Sequence, residues 1–113
     1  MKTKRDYAQD KLCRKLGKEY RVRYVDWERC IYRDFGNGFN VEVSGTHTTS
    51  KRKKALIFLW YGNEYTITCI REVPFSEIGN VVDWLYDYTC ELYRSGSVTE
   101  ENLSELRYTR TQV

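Results

Sequence analysis

The sequence predicts an α+β fold: an antiparallel sheet of three to four strands packed by helices, in the order α-β-β-β-β-α-α. Three observations carry this. Two stretches of alternating apolar and polar residues turn back on themselves at Gly/Asn pairs. After Pro74 the hydrophobic spacing becomes helical, and 113 residues suit one domain, 1–113, with a single core.

Residues 4–16, KRDYAQDKLCRKL, read as a helix stopped by Gly17 at a position that favours left-handed backbone. Lys11, Arg14 and Lys15 fall toward its end, where the macrodipole favours cations. EYRVRYVDW then alternates Tyr20, Val22 and Tyr24 against Glu19, Arg21 and Arg23, which fits an edge strand with a charged outer face. The main sheet is expected over 29–71. CIYRDF-GNG-FNVEVSG reads as a hairpin turning at Asn37-Gly38, with Phe39, Val41 and Val43 buried and Asn40, Glu42 and Ser44 wet. KKALIFLWY-GN-EYTITCI reads as a second hairpin, pairing Trp60 with Tyr65, Phe58 with Ile67 and Leu56 with Cys69. That face is the expected core face. Ser76 then caps a helix over 76–94, with Ile78, Val81, Val82, Leu85, Thr89 and Leu92 on one side. After Gly96, a short helix over 99–107 has Thr99 as cap and acids in its first turn.

Composition narrows the function classes. No apolar run spans a bilayer, and MKTKRDYAQDK has charges without the apolar stretch of a secretory signal, so a cytoplasmic protein is expected. Cys13, Cys30, Cys69 and Cys90 form no CxxC pair and have one histidine for company, which points to reduced thiols rather than zinc. His47, the sole imidazole, lies in SGTHTTSKRKK beside four consecutive cations that disfavour its protonated form, with no preorganised nucleophile. No phosphate-binding glycine fingerprint occurs, and Asp34-Phe35-Gly36 stands in a turn without the other kinase motifs. Asp83, Asp87 and Glu91 share a helix face, which reads as solvated rather than metal-binding. The expectation is a binding protein without catalytic residue, metal or cofactor.

Two surfaces could bind. The charge is uneven: residues 1–54 carry +8 and residues 55–113 carry −5. Lys51, Arg52, Lys53 and Lys54, joined by Arg21 and Arg23, would contact nucleic-acid phosphates. Asp83, Trp84, Asp87, Tyr88, Glu91, Glu100 and Glu101 would instead suit a basic protein partner, as an acidic field with aromatic anchors. Seventeen Phe, Trp and Tyr residues, ten of them Tyr, suit such contact surfaces as well as a core. A polarised chain could also self-associate, so monomer and homodimer both stay open.

The element order, with Gly45-Thr46-His47 after a strand, resembles double-stranded-RNA-binding domains, which imply phosphate contacts from lysines at the last helix. PFSEIGNVVD has none. The segment NVEVSGTHTTSKRKKALIFLWYGNEYTIT, with Ser44–Thr46 and Gly62–Tyr65 as its matching strings, resembles small phage-encoded anti-CRISPR proteins of the type II-A class. The resemblance implies a phage or mobile-element inhibitor that binds and blocks a Cas nuclease or its guide complex in the host cytoplasm, with the acidic residues mimicking DNA. The alternatives are a nucleic-acid-binding domain using the Lys51–Lys54 loop and a self-associating structural or regulatory phage protein.

Overall fold

The computed structural model describes residues 7–25, 27–46, 53–62 and 65–94. The fold is α+β. Helix α1 (Tyr7–Leu16) precedes strands β1 (Arg21–Val25), β2 (Glu28–Asp34), β3 (Phe39–Ser44), β4 (Lys54–Tyr61) and β5 (Tyr65–Pro74). A 3-10 turn (Phe75–Glu77) then leads into α2 (Ile78–Arg94). The sheet is an antiparallel meander, β1-β2-β3-β4-β5, so it has five strands rather than three or four. The additional one is the edge strand β1, which pairs with β2 over its whole length. The expected helix over 99–107 and residues 4–6 of the expected first helix lie outside the described residues.

Both helices pack on one side of the sheet. Ile78, Val82 and Leu85 of α2 and Cys13 of α1 join Ile31, Val41, Val43, Ile57 and Leu59 in a single apolar cluster. Each large aliphatic side chain fully buried there contributes roughly 1.5–3 kcal/mol. The spacing read for α2 is therefore its packing face. Ser76 does not cap the helix, because the chain after Pro74 first winds a 3-10 turn, with no side-chain cap at Pro74. Helix α1 stops as the sequence indicates, with Gly17 at φ 139° and its N–H bonded to the Cys13 carbonyl at 3.4 Å.

The second hairpin corrects the expected core face. Val41 and Val43 face the helices and lie opposite Leu59 and Ile57, so Ala55, Ile57 and Leu59 are the buried set. Leu56, Phe58 and Trp60 turn to the other side. Both faces of β4 are apolar, so its hydrophobicity could not choose between them. One residue of parity reverses the whole strand. Register differs for the same reason. Tyr61 pairs with Tyr65 and Trp60 with Thr66, then a bulge at Ile67 brings Phe58 opposite Cys69. A second irregularity near Arg71 and Glu72 places Glu72 at φ 58°.

The β3 prediction needs a second correction: its expected wet face is largely covered, with Glu42 9% and Ser44 4% exposed. Among the described residues the helix-side core cluster includes none of the side chains on that face.

Candidate nucleic-acid interface

Strand alternation and register assemble one continuous row across the open side of the sheet. Arg21 lies opposite Tyr32, Tyr32 opposite Glu42, Glu42 opposite Phe58 and Phe58 opposite Cys69. Flanking it, Arg23 lies opposite Cys30 and Asn40 opposite Trp60. Lys54 begins β4 on the same side.

Two cations of this face already lie against one of its aromatics. The Arg23 guanidinium lies 4.3 Å from the Tyr32 ring centroid and that of Arg21 5.2 Å. Tyr32 is thereby buried while both arginines stay exposed. Such contacts keep both guanidinium groups beside the Tyr32 ring while their side chains stay exposed. Phe58 and Trp60 are half-buried, and Leu56 is exposed. Arg23, Val25, Tyr32, Asn40, Glu42 and Trp60 line a shallow cleft of about 100 Å³.

Glu42, which lines the cleft, accepts from Ser44 Oγ at its Oε2 at 3.0 Å, and Cys30 Sγ lies 3.5 Å from Ser44 Oγ. The cluster resembles a nucleophile beside a carboxylate, but its thiol is deactivated. Burial, against a weaker opposing hydrogen bond from Ser44, pushes Cys30 up to about 12. Burial likewise raises Cys69 and Cys13. A thiol held protonated is a poor nucleophile.

One end of the sheet adds a further aromatic. The β1–β2 turn presents Trp27 98% exposed and at φ 70°, a conformation that bulky residues seldom adopt. The same end carries the start of β4, where Lys53 and Lys54 are exposed. Lys54 Nζ is 3.8 Å from Glu72, and Lys53 Nζ is 5.9 Å from the Phe75 ring centroid. Lys51, Arg52 and His47 lie outside the described residues.

The acidic-aromatic set occupies the other layer. Trp84 is 46% exposed, and its ring lies 5.6 Å from that of Tyr88, one helical turn on. Asp87 and Glu91 are exposed beside them, Glu91 within 3.4 Å of Arg94. Asp83 also serves the fold. It pairs at 3.2 Å with Arg33, whose buried guanidinium lies 5.4, 5.3 and 4.9 Å from the rings of Tyr20, Phe35 and Tyr86. Glu100 and Glu101 lie outside the described residues. The structure thus brings Arg21 and Arg23 together, and Trp84, Asp87, Tyr88 and Glu91 together, but on opposite layers.

Tyr32, Glu42, Phe58, Trp60 and Trp27 are candidates that the sequence reading did not single out. The first four become a site only through strand register. Trp27 had a readable signal, a bulky aromatic at the end of a strand where a turn must follow. No protein-family model, no curated protein and no solved structure matches the chain at a significant level.

Proposed function

We propose that the protein is a non-enzymatic binding module whose open sheet face takes a single strand of nucleic acid. The observation that carries this reading is the joint presentation of Arg21, Arg23, Phe58 and Trp60 on a sheet side that no described helix covers. Single strands leave base faces free to stack on aromatic rings and guanidinium planes, whereas duplexes bury them. Arg21, Arg23 and Lys54 would meet phosphates, while each base stacked on an aromatic contributes about 1–3 kcal/mol. The test is binding of labelled single and double strands across a salt series. Trp60→Ala should weaken single-strand binding about fivefold or more. Equal affinity for duplex, or no effect of Trp60→Ala, would count against the face.

A second reading is favoured by the exposed Trp84–Tyr88 pair flanked by Asp87 and Glu91. Here the protein is a phage or mobile-element inhibitor, acting in the host cytoplasm, that blocks a nucleic-acid-processing complex such as a Cas nuclease. An acidic, aromatic helix face complements a basic surface. Asp87→Lys with Glu91→Lys should then abolish inhibition of nuclease cleavage and spare single-strand binding. Retained inhibition would exclude α2 as the contact.

A further inference from the structure

We infer that the cleft at Glu42 reads guanine, a step that rests on the single-strand reading above. Glu42 is 9% exposed and lines the cleft between Arg23, Tyr32 and Trp60. Its Oε2 accepts from Ser44 Oγ at 3.0 Å, and Cys30 Sγ lies 3.9 Å away. Its Oε1 accepts no hydrogen bond among the described residues. A carboxylate lining a cationic, aromatic cleft repels phosphate, so its role there is toward a base edge rather than the backbone.

The choice among bases follows from donor patterns. A carboxylate only accepts hydrogen bonds. Guanine alone presents adjacent donors, N1–H and the N2 amino group, on its Watson–Crick edge. Adenine and cytosine set an acceptor nitrogen beside their amino group, and thymine or uracil flanks its single N–H with carbonyls. Each would place a lone pair against the carboxylate. The neighbouring Arg23–Tyr32 pair and the Trp60 ring supply walls for a flat purine. Ser44 and the two flanking strands hold the carboxylate in place, so guanine meets a preformed acceptor.

The test uses the whole chain and thymidine oligonucleotides about ten nucleotides long, with one central base changed to guanine, adenine or cytosine. The expected result is binding of the guanine strand about tenfold or more tighter than the other three. Glu42→Gln, which offers one donor and one acceptor, should bring that ratio to about one, its fold checked by circular dichroism. Equal affinity of the wild type for all four strands would overturn the guanine inference and leave the single-strand reading standing. A guanine preference that survives Glu42→Gln in a folded protein would do the same. Absence of binding to every strand would overturn both.

Discussion

Trp27 and Cys30 offer tests at the level of single side chains. Trp27 is 98% exposed, so it adds little to the core, yet it sits at φ 70°. A left-handed side-chain-bearing residue costs about 1–2 kcal/mol. Trp27→Gly should therefore raise stability by about 1 kcal/mol in urea unfolding. If Trp27 is a contact residue, the same variant should lose several-fold affinity for a single strand. Unchanged affinity would make the tryptophan a mere surface residue. Cys30 offers a test through pH. The unfolded thiol ionises near its ordinary value of 9.0, while burial keeps the folded thiol protonated to about 12. Across that window the unfolded chain binds fewer protons, so the stability contribution present below 9.0 is lost as pH rises. Unfolding measured over the window should show a steeper fall for wild type than for Cys30→Ala. Parallel curves would mean that the thiol is not sequestered.

At the scale of elements, the first hairpin was legible and the second only partly. Asn37-Gly38 marks the first turn, but the left-handed positions are Gly36 and Gly38, at φ 76° and 94°. Asn37 serves differently: its Oδ1 accepts the Phe39 N–H at 3.0 Å and its Nδ2 donates to Thr89 Oγ1 at 3.0 Å, tying the turn to α2. No local pattern announces that link, because its partner is 52 residues away. Gly38 is tightly constrained, since a Cβ there would meet Tyr61 Cε1 at 2.8 Å, whereas one at Gly36 would meet nothing within 4 Å. Gly38→Ala should cost about 2 kcal/mol and Gly36→Ala about 1 kcal/mol, measured by denaturant midpoints. Equal costs would show that the ring moves aside. The open face escaped the sequence reading for a related reason. Leu56, Phe58 and Trp60 are as apolar as their strand neighbours, and only pairing with β3 turns them away from the helices. Glu42 read as a wet residue because alternation reports which side of a strand faces the core, not what surrounds the other side. The edge strand β1 was readable from its alternation, although Tyr24 is 49% exposed rather than buried. Tyr20, read on the same side, is buried, 7% exposed beside Arg33.

For the whole molecule, the uneven charge of the two halves is only partly a difference between layers, because exposed Lys11, Arg14 and Lys15 of α1 share the helix layer with α2. Arg21 and Arg23 mark the open sheet face, and Asp87 and Glu91 mark the outer side of α2. Among the described residues no helix is long and apolar enough to cross a membrane. Besides the apolar core, a polar network joins α1 to the sheet: buried Gln9 donates to the Arg29 carbonyl and to Thr46 Oγ1, each at 2.8 Å, and Asp10 pairs with Arg29 at 2.8 Å. It fixes α1 on the side of the sheet away from the Arg21 and Arg23 face, which no described helix covers. The most direct test of that face is fluorescence anisotropy of a labelled single strand, titrated over a salt series with wild type and an Arg21→Ala/Arg23→Ala variant. The account predicts binding that weakens with salt, and a slope of log affinity against log salt smaller by about 1.4 in the variant, or about 0.7 per lost phosphate contact. Binding with the same affinity and slope in both proteins, or none by wild type at low salt, would contradict it.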